Sequence, residues 1–234
     1  MKPVLVLQHM SDDGPAHLGA WLHREGIAFD VFDTEAGQAY PSSVSGYRGL
    51  AVLGGAMSAN DDLPSLRHAE RLILEAMHDG IPVIGHCLGG QLMARALGAK
   101  VTASPAPEVG WHRIVVASGD EPTAWFGEGA SPMVFQWHYE AFSLPAGATP
   151  LAGNTACPHQ AFSIGPHLAL QFHVEVDITK VMAWTESRDP LYLGWQMRSV
   201  SVHGARRIRE ESAQHLSRQQ ALAERLYRRW LMGR

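Results

Sequence analysis

Cysteine is scarce in this chain, with Cys87 and Cys157 the only two among 234 residues. Two thiols cannot build a disulfide framework, and so few suit a reducing cytosol. Long apolar runs are missing as well: nothing approaches the roughly 18 residues that a membrane-crossing helix needs. The opening MKPVLVLQHM carries one lysine and a five-residue apolar run, without the longer apolar core and small-residue cleavage site of a secretory leader. A cytoplasmic protein with no membrane attachment is expected. The glycine patterns G-x-G-x-x-G and G-x-x-x-x-G-K-[ST] are absent, as are Cys-x-x-Cys and His-Glu-x-x-His. No cofactor and no metal are therefore expected, since Cys157-Pro158-His159 falls short of a ligand set.

Apolar residues make up 46% of the chain and charged residues 18%, which is ordinary globular composition with ample material for a core. The net charge of −4 hides an asymmetry, because residues 201–234 hold eight Arg against Glu210, Glu211 and Glu224, or +5, leaving −9 for the rest. A basic segment of this kind suits RNA or an acidic partner. Here Leu216, Leu222, Leu226 and Trp230 trace an apolar stripe between the charges, which reads as a helix docked on the domain. With a pI near 6.3 the broad basic footprint of a nucleic-acid binder is lacking, and none is expected to bind.

Short apolar runs alternate with amphipathic stretches over the first hundred residues. Strands are expected at Pro3–Leu7, Phe29–Phe32, Leu50–Leu53 and Pro82–Ile84, and helices at Pro15–Glu25, Leu63–His78 and Leu88–Leu97. This order predicts an α/β fold with a mostly parallel central sheet flanked by helices. Beyond Lys100, Glu108–Ala117, Met133–Trp137, Gln160–Ile164 and Leu168–Phe172 read as strands with little helix between them, an antiparallel extension. Helix returns at the end. The expected organisation is a domain over residues 1–177 and a helical C-terminal extension over 178–234 packed on it or mediating self-association, with Trp184, Trp195 and Trp230 as core or interface anchors.

The sharpest local feature is Gly85-His86-Cys87-Leu88-Gly89-Gly90-Gln91, between the apolar strand PVIG and the helix QLMARALG. A strand that turns abruptly into a helix crowds its own backbone, so small residues flank the corner; this is the logic of the nucleophile elbow, with Cys at the corner. The corner exposes the sulfur at a helix N-terminus, where free N–H groups and the dipole favour the thiolate. A buried structural cysteine is the competing reading. A nucleophile needs a base and the base an orienting group. His173 and Glu175, in Gln171-Phe172-His173-Val174-Glu175, stand two apart and project to one side of an extended strand end; a surface ion pair is the alternative for that pair alone.

Strand, G-x-C-x-G-x-Q, helix and a downstream Q-F-H-x-E together resemble the class I glutamine amidotransferase family, of the Cys-His-Glu type, over about Lys2–Asp177. Leu53-Gly54-Gly55-Ala56-Met57-Ser58 resembles the family's Gly-Gly-Pro-x-Ser loop. Gly110-Trp111, Trp137-His138 and the stretch from Ala156 to Phe162 are similar to stand-alone members related to the glutaminase domain of GMP synthetase. The resemblance implies Cys87 as nucleophile toward the glutamine side-chain amide, His173 as acid and base, and Glu175 as its orienter. It implies an oxyanion hole from the backbone N–H groups of Gly55 and Leu88, each such donor being worth about 3–4 kcal/mol. Gln91, Trp137 and His138 are implied as substrate contacts. Two positions depart from the pattern: Ala56 replaces Pro in the loop, which predicts a more mobile loop, and Val174 replaces Pro in His-Pro-Glu, which predicts a looser triad.

Three functions follow from that resemblance. One is a glutamine-hydrolysing subunit that delivers ammonia to a separate synthetase, since nothing here binds the nucleotide needed to activate an acceptor. Another is a hydrolase of γ-glutamyl peptides or amines with the same triad, and the third a catalytically silent regulatory module. A Cys-nucleophile α/β-hydrolase is disfavoured, because its acid precedes the His along the chain.

Overall fold

The computed structural model describes residues 2–233; Met1 and Arg234, the outermost residues of the two expected segments, lie outside them. The chain runs through β1 (Val4–Gln8), α1 (Ala16–Arg24), β2 (Phe29–Asp33), β3 (Gly49–Val52), α2 (Pro64–His78), β4 (Val83–His86), α3 (Leu88–Ala96) and β5 (Val101–Arg113). It continues through β6 (Val115–Val116), α4 (Asp120–Phe126), β7 (Met133–Phe142), β8 (Thr149–Gly153), β9 (Ala161–Ile164) and β10 (His167–Leu170), and ends in α5 (Ile178–Thr185), α6 (Pro190–Gln196) and α7 (Ala205–Met232).

Eight strands form one sheet in the order β2-β1-β3-β4-β10-β9-β8-β6. The first five are mutually parallel and the last three antiparallel, so the α/β architecture and its antiparallel extension stand as expected. Strand periodicity sorts the side chains. Val4, Val6, Ala51, Ile84, Leu168 and Leu170 pack into one core, while Leu5, Leu7, Leu50, Val52, Val83 and Ala169 pack into another on the opposite face. Helices α2 and α3 close the second face with Leu66, Leu72, Ile73, Leu88 and Leu92.

The first face is closed by α1 and, from the far end of the chain, by α7, through Ala223, Leu226, Tyr227, Trp230 and Leu231. Each such large apolar side chain contributes about 1.5–3 kcal/mol on burial. The expected stripe is the buried one, with Leu226 and Trp230 at 0% and 1% exposure and Leu216 and Leu222 packed at its margins. Three arginines of α7 reach across to other elements: Arg228 faces Glu25, Arg229 faces Glu121, and Arg225 donates to Trp125 O.

Three stretches differ from the sequence reading. The run expected as one strand over Glu108–Ala117 is divided at Ile114, where the chain passes from a ribbon of β5 paired with β7 into the main sheet; buried Ile114 makes the crossing and donates to Pro132 O. Helix α4 was not expected, being a short segment between Gly119 and Gly127 with Asp120 and Glu121 in its first turn. Strand β8, TPLAG, reads as a turn from its Pro and Gly, yet it pairs with β9 across a register shift between Pro150 and Ala152.

Candidate active site

Cys87 is the N-cap of α3 with φ 48° and ψ −106°, and among the described residues only Ala16 is another non-glycine at positive φ. The glycines around it explain how that strained corner fits. A Cβ on Gly85 would lie 2.5 Å from Gly89 C, one on Gly89 2.1 Å from Val52 O, and one on Gly90 2.5 Å from Leu170 O. All three neighbours are backbone, which cannot step aside. Cys87 N donates to Leu170 O and Gln91 N to Cys87 O, at 2.9 Å each, which ties the corner to β10 on one side and into α3 on the other.

Beyond β10, His173 N donates to Phe135 O at 2.8 Å, and Glu175 O accepts from His17 N at 2.8 Å. Gln219 of α7 bridges the same place, its Nε2 donating to His173 O at 3.1 Å while its Oε1 accepts from Phe135 N at 2.6 Å. This clamp ties the His173 backbone to β7, and Val174 is buried in the core beneath. Gly54 leaves room for the imidazole, because a Cβ there would come within 2.8 Å of His173 Cε1.

His173 Nδ1 and Glu175 Oε1 stand 2.7 Å apart, both side chains buried. Burial pulls the His173 pKa down, but the Glu175 carboxylate and then Cys87, which also hydrogen-bonds the ring, outweigh it and hold the imidazole well above its ordinary value. Burial likewise raises Glu175, and the charges of His173 and His86 overcome that and hold its carboxyl far below the usual range. The protonated form of the imidazole is therefore favoured where it stands, beside Glu175.

Cys87 and His173 border a cavity of about 570 Å³ that also touches Gly55, Gln91, Trp137 and His138. Gly55 and Leu88 adjoin, since a Cβ on Gly55 would meet Leu88 Cδ2 at 3.0 Å. Trp137 O lies 3.7 Å from Cys87 Sγ, and Gln91 Nε2 donates to Glu140 O. His138 borders the cavity with both ring nitrogens engaged, Nε2 toward Glu108 Oε2 and Nδ1 toward Glu140 O. The loop through Ala56 is pinned: Ala56 N donates to Met10 Sδ, and Ser58 Oγ to Glu140 Oε2.

Four residues of the cavity wall come from the C-terminal extension: Trp184, Ser187, Asp189 and Leu191. Trp184 is therefore no plain core anchor; its ring stands edge-on to His173 at 4.8 Å and to Trp137 at 5.5 Å. Lys180 on the same helix donates to Asp13 Oδ1 and Gly14 O, fixing the loop after β1. Gln171, whose Nε2 is 3.9 Å from Cys87 Sγ, lies inside the Q-F-H-x-E motif and was within reach of sequence reading. The extension residues carry no such signal.

The class-I glutamine amidotransferase family model matches residues 22–184. The glutamine amidotransferase-like protein YfeJ of Salmonella typhimurium is 28% identical over 97% of this chain and 95% of its own length. A glutamine-hydrolysing GMP synthase subunit from Thermoplasma acidophilum is 28% identical over 69% of this chain and 82% of its own. The crystal structure of a glutamine amidotransferase from Methylobacillus flagellatus superposes with a TM-score of 0.92 at 34% identity, covering 100% of this chain and 95% of the other.

Proposed function

Because the chain belongs to the class I glutamine amidotransferase family, we propose that it hydrolyses the γ-carboxamide of glutamine through a γ-glutamyl thioester on Cys87, releasing glutamate and ammonia. The observation that carries this reading is Cys87 and His173 on the wall of one cavity, with Glu175 bound to His173 from the buried side and the sulfur on a backbone-locked corner at a helix N-terminus. The Cys87 thiolate attacks the amide carbon. The oxyanion faces the N–H groups of Leu88, which opens α3, and of Gly55. His173 gives its proton to the departing ammonia, and the neutral ring then takes a proton from the water that opens the thioester. Glu175 holds the ring and its charge throughout. The relative named as part of a synthase supports a synthetase as the acceptor of the ammonia, in a separate polypeptide. No helix among the described residues is long and apolar enough to cross a membrane.

The cavity supports a second reading on its size. At about 570 Å³ it falls in the range of sites that enclose drug-sized ligands, and Trp184 lines it, edge-on to the His173 ring. A γ-glutamyl peptide or amine has a leaving group to fill such a wall, whereas ammonia does not.

Glutamate release from glutamine, γ-glutamyl peptides and γ-glutamyl amines, with Cys87→Ala as the blank, tests both. Turnover of glutamine with little discrimination for the larger leaving groups supports the first reading, and a preference for γ-glutamyl peptides or amines the second. Loss of Cys87 is expected to cut turnover by about 10⁴-fold or more, and activity that survives it rejects the thioester. A silent regulatory module predicts no turnover on any of them, together with a Cys87 that reacts as an ordinary thiol.

A further inference from the structure

Glu175 spends only one of its two oxygens on His173. The other, Oε2, is buried without a hydrogen-bond partner, and so are both ring nitrogens of His86 and the hydroxyl of Tyr227. Unpartnered polar atoms at full burial are rare and costly, and several in one chamber point to one another. His86 is the last residue of β4, directly before the nucleophile, and is 0% exposed. Its Nε2 lies 4.0 Å from Glu175 Oε2. The Tyr227 ring closes the chamber from α7, edge-on to His86 at 6.3 Å.

We propose that His86 is a positioning residue of this site, its Nε2 presented to the second oxygen of Glu175 so that the carboxylate that orients His173 is itself held from behind. The proposal rests on the Cys87–His173–Glu175 reading above. Four titratable groups act on the His86 ring: Glu175 favours its protonation, His173 and Lys180 oppose it, and Tyr227 packs against it as a neutral phenol, while the Val52 backbone of the adjacent strand adds a weak pull toward protonation. Burial outweighs Glu175 and lowers the His86 pKa, so the ring serves as a neutral donor. Losing that donor removes the one polar N–H that faces Oε2, 4.0 Å away, and so leaves Glu175 a stronger base toward His173 Nδ1–H. The His173 proton is then held more tightly.

The rate of Cys87 alkylation by iodoacetamide across pH, read by mass spectrometry of the Cys87 peptide, measures this without a substrate. Two inflections are expected in the wild type, the lower for formation of the thiolate–imidazolium pair and the upper for loss of the imidazolium proton. In His86→Leu the upper inflection moves up by roughly half to one pH unit while the lower stays, the scale of losing a polar group that faces a buried charge. In His86→Gln, whose terminal amide nitrogen falls near the Nε2 position, it returns toward the wild-type value. Should His86→Leu not fold, His86→Asn, whose amide stops short of that position, carries the same expectation. An unchanged upper inflection in His86→Leu or His86→Asn overturns the proposal and leaves the triad standing. A wild-type Cys87 that titrates once, as an ordinary thiol, overturns the triad and this proposal with it.

Discussion

The elbow at Cys87 and the C-terminal extension both build the candidate site, and they do so with different materials. The elbow is backbone against backbone, with Gly85, Gly89 and Gly90 each filling space that a methyl group would share with a main-chain atom 2.1–2.5 Å away. The extension works through long side chains: Trp184 against His173, Gln219 across His173 and Phe135, Trp230 and Tyr227 under the sheet, and arginines reaching Glu25 and Glu121. Backbone has no rotamer to change, so the elbow fixes residue identity at each position. Side chains have alternatives, so the extension fixes contacts and leaves identities looser.

Gly89→Ala is the severest way to break that comparison. Its Cβ would sit 2.1 Å from Val52 O and 2.7 Å from Val52 C, and both β3 and α3 are packed on other elements. Either the strand or the helix must shift, and the Cys87 corner goes with it. A stability loss above about 4 kcal/mol is expected, with glutamate release down more than about 1000-fold if the protein folds; urea denaturation and the turnover assay measure the two. A fold and activity close to wild type would show that the elbow has slack.

Trp230→Ala asks whether the extension is part of the core. Trp230 is 1% exposed and shares a cluster with Val4, Ala51 and Ile84 of the parallel strands. A loss of about 3–5 kcal/mol in the urea unfolding free energy is expected, the usual cost of a large cavity. A single cooperative transition is expected as well, because α7 and the sheet bury one another. Two separate transitions would instead make residues 178–234 an independent unit.

Acid compares the two regions through buried imidazoles. Burial holds His9 and His167, in the sheet half, and His203, in the extension, at pKa values of about 4 against an ordinary 6.5, with His112 adding to the effect on His203. Each is lowered in the fold, so between these values the unfolded chain binds the extra proton. The stability contributed is complete above pH 6.5 and falls away as pH drops toward 4. At pH 5 each group costs about 2 kcal/mol. Urea midpoints at pH 7.5 and pH 5 measure the total, and His9→Gln, His167→Gln and His203→Gln should each flatten the slope. A slope unchanged by all three would place the acid sensitivity elsewhere.

How much of this was legible in the sequence follows the same division. The elbow glycines lie within a few residues of Cys87, and His173 lies two residues from Glu175, so local strand and helix periods dictate what faces what within each motif, and the resemblance singled out the side chains that the fold brings together. The parallel strands were legible because burial on both faces leaves unbroken apolar runs. The cavity wall was not. Trp184 reads as an anchor because nothing local distinguishes a tryptophan that touches a sheet from one that touches His173 across a chain turn. Gln219 looks like any polar residue of an amphipathic helix; its value comes from two backbone groups 84 and 46 residues away. Strand β8 was hidden for a related reason, since Pro150 and Gly153 carry turn signals that pairing with β9 overrides.

The smallest effect is expected at Gly204, and it isolates the distinction. Like Gly89, it has no room for a methyl group as it stands: a Cβ would come within 2.5 Å of Gln196 Nε2. Unlike Gly89, the obstacle is the tip of an exposed side chain at the end of α6, and Gly204 has φ −77°, which any residue adopts. Gln196 can swing into solvent at the cost of a rotamer change. What remains is the weaker N-capping of α7 by Ala than by Gly. Gly204→Ala should therefore lower the unfolding free energy by about 1 kcal/mol or less and leave glutamate release within about twofold of wild type. A loss comparable with that of Gly89→Ala would mean that the segment joining α6 to α7 is as rigid as the elbow, and that the extension holds its wall of the cavity through its backbone after all.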